Sequence, residues 1–386
     1  MSTTRSRLLG MPVGRFLERH WQRRPLLVRG AFPDFRDPLT PDELAGLACE
    51  PHVESRLVME RGGRRPWQVT QGPQRPARLR KLPRTHWTLL VQEVDRHLPA
   101  VATLLEPFAF LPHWRVDDVM VSFAPRFGSV GPHVDSYDVF LIQGRGRRRW
   151  RIDTRAAADF RPGLALRILE RFRPHAEWVL EPRDMLYLPP GGGHHGVALE
   201  DCLTYSVGFR APSEPEVLLP FLESAVNGAS PDSRYADPGL RPARHPGEID
   251  AAALGRLCAL VTAAGQRVLD GDFPRVMGRL LTEPKDLAPE PSARGVDPAQ
   301  VRLAVRAGCG LVHGPRSRLA FVRRAPGAWL FADGHAYELD ARLAFAAPLL
   351  ADRRRLPPAA LLPHLRERRF LTLVAKLIEA GALALD

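Results

Sequence analysis

Between residues 114 and 212 the chain is written in short apolar segments that stop at glycine or proline, and no other feature constrains its fold as much. WRVDDVMVSFA alternates, YDVFLIQG is nearly continuous apolar, RRRWRI follows a glycine-rich turn, and DMLYLPP and CLTYSVGFR come later. Segments of this length, separated by turns rather than helices, build an antiparallel barrel or sandwich and not a parallel βαβ sheet. Pro212 and Pro215 mark the exit from the region.

The flanks read differently. Residues 12–24 predict a short amphipathic helix ended by Pro25, with LLVRG as a strand after it. TPDELAGLACE carries a helix start, with Thr40 as N-cap, Pro41 in the first helical position and Glu43 three residues after the cap. Residues 86–106 show a second long helical pattern, interrupted at Pro99. Residues 216–282 read as mostly helical, and the proline-rich stretch 283–298 as a linker. The remainder predicts a small α/β module: a helix from about residue 298, a hairpin in 317–339, then helices in 341–351 and 359–380.

A chain of 386 residues holds two or three domains at about 150 residues each. With 45% hydrophobic and 25% charged residues it can build real cores and is not a disordered chain. The net charge is +12, carried by 55 basic residues of which only three are lysine. That balance favours acidic partners, ribonucleoprotein among them, although a solvated basic surface accounts for it equally well. The four cysteines are widely separated and form no CxxC, which argues against a disulfide framework or thiolate zinc site and fits a reducing cytoplasm. No apolar run approaches 18 residues, so no membrane span is expected, and the N-terminus does not read as a secretory signal.

The sharpest local signal is GPHVDSYDVFLIQG. His133 and Asp135 stand two apart, so in extended structure both project from one face. A distant histidine would complete a two-histidine, one-carboxylate facial triad, which leaves positions open on an octahedral metal and suits non-haem Fe(II). His-x-Asp alone is weak, and a polar pair at a strand end would look the same. The segment DMLYLPPGGGHHGVALE raises the odds, because a strand runs through Pro189, Pro190 and three glycines into His194 and His195. Adjacent residues of a strand point oppositely, so at most one of the two ligates, and spacing does not choose. In GRGRRRWRI, Arg148 shares a face with Trp150, which makes it the inward cation for an anionic cosubstrate; Arg145 and Arg147 read as solvated. Asp118, Met120 and Ser122 share one face of their strand, as do Thr204 and Ser206 of theirs. Asp118 could hold a cationic group, against a plain surface acid beside Asp117; Met120 is first of all a packing residue.

Together these residues resemble the bacterial JmjC-type ribosomal oxygenases, the arginine hydroxylases of a large-subunit ribosomal protein. The likeness spreads over FLERHWQRRPLLVRGAF, TPDELAGLA, WRVDDVMVSFA, VGPHVDSYDVFLIQGRGRRRWR, LYLPPGGGHHGVALE and LTYSVGFRAP. The resemblance implies a mainly β catalytic core, a JmjC/cupin-like double-stranded β-helix with flanking helices over residues 1–212. It implies a helical dimerisation segment with linker over 213–290 and a winged-helix-like α/β domain over 291–386. It implies Fe(II), 2-oxoglutarate and dioxygen. Carried over by position, His133, Asp135 and His194 become the iron ligands. Arg148, Ser122 and Thr204 become the cosubstrate contacts, and Asp118, Met120, Tyr137 and Ser206 the substrate pocket. Thr204 stands where the family leads one to expect asparagine, and the GGGHH turn is richer in glycine than the family pattern.

The expected reaction is C3 hydroxylation of an arginine side chain, with succinate and carbon dioxide released, by a cytoplasmic homodimer. The alternatives weighed are a histidyl hydroxylase of another ribosomal protein, a lysyl demethylase, and a non-catalytic ribosome- or RNA-binding protein. Asp118 favours a cation over histidine, no methylammonium cage is legible, and the complete triad argues against a dead barrel. A basic surface could touch ribosomal RNA. The basic stretch LPHLRERRF, read as a helix, is taken as a solvated face, and no sequence-specific DNA binding or membrane partner is expected.

Overall fold

The computed structural model describes residues 8–61, 66–285 and 295–386. Contacts divide the chain into a unit ending at Ala211 and a second from Pro212 to Asp386.

In the first unit, helix α1 (Val13–Arg19) is shorter than the amphipathic pattern and buries Phe16. Strand β1 (Leu26–Val28) follows. Helix α2 (Pro41–Leu47) has the capping box legible in the sequence: Glu43 N–H donates to Thr40 Oγ1, and Thr40 N–H donates to the Glu43 carboxylate at 2.7 Å. Next come β2 (Ser55–Glu60), β3 (Trp67–Gln71) and β4 (Trp87–Val91). Strand β2 and strand β3 have no counterpart in the sequence reading. Strand β4 corrects the long helix expected over 86–106. Its five residues pair with β2 on one side and, through Leu89–Val91, with β5 on the other. Glu93, at a φ of +54°, then turns the chain into two four-residue helical turns, Val94–His97 and Pro99–Ala102, and a 3₁₀ stretch over Thr103–Phe108. A short apolar run carries no periodicity long enough to separate strand from helix; two neighbouring strands decided it.

The remaining strands are β5 (Val116–Ala124), β6 (Asp138–Gln143), β7 (Arg148–Asp153), β8 (Ala176–Leu180), β9 (Met185–Leu188), β10 (Gly193–Ala198) and β11 (Cys202–Phe209). They form an eight-stranded sheet in the order β1-β9-β6-β11-β5-β4-β2-β3 and a three-stranded sheet β10-β7-β8, all antiparallel. Alternation sorts the side chains. Val139, Leu141, Leu186 and Leu188 of the large sheet meet Trp150, Ile152 and Leu180 of the small one in a single inner cluster. Phe140, Ile142, Tyr187, Val119, Val121, Tyr205 and Val207 face the other way, into a core shared with Phe16, Leu44 and Phe108. The inner faces of β5 and β11 therefore present Asp118, Met120 and Ser122 beside Thr204, Ser206 and Gly208. Two facing antiparallel sheets are the double-stranded β-helix that the resemblance implied.

The second unit opens with α3 (Glu214–Asn227), α4 (Ala251–Arg267) and α5 (Phe273–Thr282), the last two joined by a π-turn. Helices α3 and α4 bury no residue. The remainder is α6 (Pro298–Arg306), β12 (Leu311–His313), β13 (Leu319–Arg324), β14 (Gly327–Ala332), β15 (His335–Leu339), α7 (Ala346–Ala351), β16 (Arg355–Leu356), a four-residue helical turn (Pro358–Leu361), α8 (Arg368–Glu379) and β17 (Leu383–Leu385). Three corrections follow. The expected hairpin is a three-stranded meander, β13-β14-β15, because Asp333-Gly334 makes a second tight turn. Helix α7 starts five residues later than the 341–351 pattern. The helix expected over 359–380 is broken: a helical turn at Pro358–Leu361 and a 3₁₀ turn over Leu362–His364 precede α8, which starts anew at Arg368 with the Glu367 carboxylate accepting from Arg369 N–H, so only the last three residues of LPHLRERRF are in an α-helix. Most of the linker expected at 283–298 lies outside the described residues. Among those described, no helix is long and apolar enough to cross a membrane.

Candidate metal centre

His133 and His194 are joined by their backbones before their side chains matter. His133 N–H donates to His194 O at 3.0 Å and His194 N–H to His133 O at 2.9 Å, a doubly bonded antiparallel pair. This pairing selects His194, whose neighbour His195 projects the opposite way, towards Ser129 and Phe172. The chain then carries Asp135 back to the same point. His133 Nε2 lies 3.9 Å from Asp135 Oδ1, and His194 Nε2 lies 3.4 Å from Asp135 Oδ2. One ligand atom from each residue falls within 4.8 Å of the others, the one such group of three among the described residues.

The donor chemistry suits a divalent metal. Each imidazole points Nδ1 at the carbonyl two residues back, His133 at Gly131 (3.0 Å) and His194 at Gly192 (2.9 Å), so Nε2 is the atom presented to the common point. Burial, helped by the neighbouring His194, holds His133 down to about 4, which keeps its imidazole neutral. Burial pushes the Asp135 carboxyl up, but the hydrogen bond from His194 and the two nearby imidazoles outweigh it and hold the group at about 2. Burial likewise pushes His194 down, and contact with Asp135 more than restores it, leaving it raised. A buried carboxylate flanked by two imidazoles is a place where a cation belongs.

A second constellation lies beside the first. Arg148 is 3% exposed, and among the described residues no carboxylate faces it. Its guanidinium lies over Trp150 at 5.0 Å and reaches the hydroxyls of Ser122 (3.2 Å) and Thr204 (3.4 Å), while its Nε has no hydrogen-bond partner. Trp150 in turn lies 5.9 Å from the His194 ring. Gly196 clears this space, since a Cβ there would come within 2.8 Å of both Arg148 and Trp150. A buried guanidinium with an unused donor calls for an anion.

Along the same inner faces, Ser122 pairs with Thr204 and Met120 with Ser206. Then the register slips: Val119 pairs with Val207 but Val116 with Phe209, so Asp117 and Asp118 together oppose the single residue Gly208. This bulge re-aims the Asp118 side chain. Asp118 Oδ2 accepts from Glu93 N–H at 2.9 Å. A Cβ on Gly208 would lie 3.5 Å from Asp118 Oδ1 and 3.8 Å from the Tyr137 ring. Tyr137 is 39% exposed and so stands at the rim of this space. All ten candidate residues thus fall into three neighbouring groups. Several others were not legible. Gln143 donates to the carbonyls of Arg145, Gly146 and Leu203 and accepts from Thr204 (3.4 Å); a polar residue ending an apolar run was its only mark. Gln92, with its amide turned to suit both neighbours, bridges Asp118 (3.3 Å) and Arg56 (2.6 Å). Arg56 lies on the unread strand β2.

Comparison with known proteins bears on both units. A JmjC domain model matches residues 103–217, and a ROXA-like winged-helix model matches residues 266–384. The ribosomal protein uL16 3-hydroxylase of Escherichia coli (strain K12) is 45% identical over 235 residues, 61% of this chain and 62% of that protein. A probable ribosomal oxygenase of Haemophilus influenzae is 37% identical over 228 residues, 58% of this chain and 54% of that protein. The chain thus spans less than two thirds of these curated relatives. Among solved structures, YcfD, a ribosomal oxygenase from Escherichia coli in complex with cobalt and 2-oxoglutarate, superposes with a TM-score of 0.84 at 34% identity. That match covers 98% of this chain and 99% of that one, and a complex of the same protein with cobalt and succinic acid matches equally well.

Proposed function

The chain belongs to the JmjC-type ribosomal oxygenases, and from that premise we propose that it hydroxylates C3 of an arginine side chain in ribosomal protein uL16. It would consume 2-oxoglutarate and dioxygen and release succinate and carbon dioxide. The observation that carries the reading is the buried guanidinium of Arg148, with no carboxylate facing it among the described residues, beside a His-Asp-His triad. A dicarboxylate cosubstrate supplies the missing anion.

His133, Asp135 and His194 would hold Fe(II), which with 2-oxoglutarate supplies the oxidising chemistry for inserting an oxygen atom into a C–H bond. The chain's own work is placement. Arg148 offers a planar fork to the distal carboxylate, and the Ser122 and Thr204 hydroxyls fix its depth. Thr204 provides one hydroxyl where asparagine would provide an amide. Trp150 and the inner aliphatic cluster keep water from this end. At the other end Asp118, tethered by Glu93 N–H, takes the substrate guanidinium, Tyr137 lies along its aliphatic stem, and Met120 and Ser206 line the space between. A carboxylate here favours arginine over the uncharged imidazole of histidine.

In this reading residues 1–212 are the oxygenase domain, 213–290 the dimerisation segment and linker, and 291–386 the winged-helix-like domain. Support for a homodimer comes from α3 and α4. Leu219, Leu222 and Val226 of α3 and Leu254, Leu257 and Val261 of α4 are 44–73% exposed, a density of apolar side chains that solvated helices do not carry. The excess of arginine supports contact with ribosomal RNA, and the four unpaired cysteines support a cytoplasmic setting.

The test is a mass spectrum of uL16 after incubation with the protein, Fe(II), 2-oxoglutarate and air. One added oxygen on one arginine, absent with His133→Ala, is expected. Cosubstrate turnover that depends on His133 without any gain on uL16 would remove this substrate and keep the oxygenase.

A further inference from the structure

Outside the triad, one chain of hydrogen bonds reaches a metal-site histidine from a distance, through Gly131. Gly131 is gripped at both ends. Its N–H donates to Ser129 Oγ at 3.0 Å, and its carbonyl receives His133 Nδ1 at 3.0 Å. Ser129 is 1% exposed, and its Oγ lies 3.0 Å from His195 Nε2. That oxygen accepts from Gly131 N–H and still has a hydrogen and a second lone pair, so it can bond His195 Nε2 in either tautomer of the ring. His195 is held in turn by the Phe172 ring, edge-on at 6.0 Å. The adjacent histidines thus divide the work. His194 belongs to the triad, and His195, pointing the other way, reaches the turn that orients His133.

The turn needs such a grip. Gly131 has a φ of +80°, and a Cβ there would come 2.5 Å from Ile168 and 3.1 Å from Trp67, so only glycine fits. Glycine is the residue least able to hold its own carbonyl direction. Where that carbonyl points decides the tautomer and tilt of His133, and hence where Nε2 aims. The corresponding turn before His194 has a weaker hold, with Gly192 N–H at 3.5 Å from Pro189 O.

We propose that Ser129 and His195 are positioning residues that set the affinity and geometry of the bound divalent metal through the Gly131 carbonyl and His133. The inference rests on the reading that His133, Asp135 and His194 hold a metal.

The experiment is a titration of cobalt(II) into the metal-free full-length protein, followed by the ligand-field absorption of the ion. Melting of each metal-free variant is recorded alongside. Ser129→Ala and His195→Leu are expected to weaken binding by roughly tenfold, the low end of the cost of removing a direct partner of a metal ligand, because the Gly131 carbonyl stays in place but loses its hold. Their cobalt spectra should shift, and the double variant should be little worse than either single one, because both cut the same chain. His195→Gln, whose amide reaches the place of Nε2, should recover most of the affinity, which a merely structural role for His195 would not require. Wild-type affinity and spectrum in Ser129→Ala would overturn the proposal. If that variant does not fold, His195→Leu binding as tightly as His195→Gln would overturn it equally. A wild-type protein that takes up no cobalt would remove the metal reading and this inference together.

Discussion

Arg148 shows what single residues do in this molecule. A guanidinium sealed beside an indole, with two hydroxyls and, among the described residues, no carboxylate, is poorly compensated until an anion arrives. Stability and function should therefore separate at this position. Arg148→Met replaces an uncompensated charge with an apolar side chain of similar reach, so the cosubstrate-free protein should melt at the same temperature or higher. Affinity for 2-oxoglutarate, measured by calorimetry, should fall by roughly a hundredfold or more, as expected when a buried charge pair loses one partner. Arg148→Lys should recover little, because a point charge lacks the planar fork. A Met variant that binds 2-oxoglutarate normally would remove Arg148 from the cosubstrate site.

Elements add constraints that no residue has alone. The bulge of β5 against β11 sets Asp117 and Asp118 opposite Gly208, and the missing side chain leaves room between Asp118 and Tyr137. Gly208→Val should fill that room and weaken binding of an arginine-containing uL16 peptide at least tenfold, while Gly208→Ala, whose Cβ meets only ordinary contacts, should stay near wild type. Fluorescence anisotropy with a labelled peptide would decide; equal binding by the Val variant would place the substrate elsewhere. In the second unit, α5 sits on β14 through Gly278, where a Cβ would come 2.2 Å from the Phe331 ring. Alanine gains about 1 kcal/mol of helix propensity over glycine, but overpacking a fully buried ring costs about 1–3 kcal/mol. Gly278→Ala should therefore lower the thermal stability of the second unit, seen as an earlier melting transition, and a rise would mean that the ring moves aside freely.

At the scale of the whole molecule, the open question is what covers α3 and α4. Helices of 14 and 17 residues without one buried side chain do not hold their place by propensity alone. The homodimer reading predicts that Leu257→Asp with Val261→Asp yields a monomer by sedimentation, with the melting of the first unit unchanged. Wild-type protein that sediments as a monomer would overturn it.

Whatever is local was legible in the residues alone. The Thr40–Glu43 capping box forms as written, because its partners lie within one helical turn. Strand alternation put Arg148 with Trp150, Ser122 with Met120 and Asp118, and Thr204 with Ser206 on inner faces, because period two is built into extended backbone. What depends on register between distant segments came from the folded chain. The backbone pair of residue 133 with residue 194 separates His194 from His195. Two flanking strands make Trp87–Val91 a strand although its neighbourhood reads as a helix. The slip opposite Gly208 and the link from His195 through Ser129 to Gly131 join residues far apart in the chain. Periodicity fixes which face a side chain takes, but register is set by which strand lies alongside, and that information is shared among segments rather than written in any one of them.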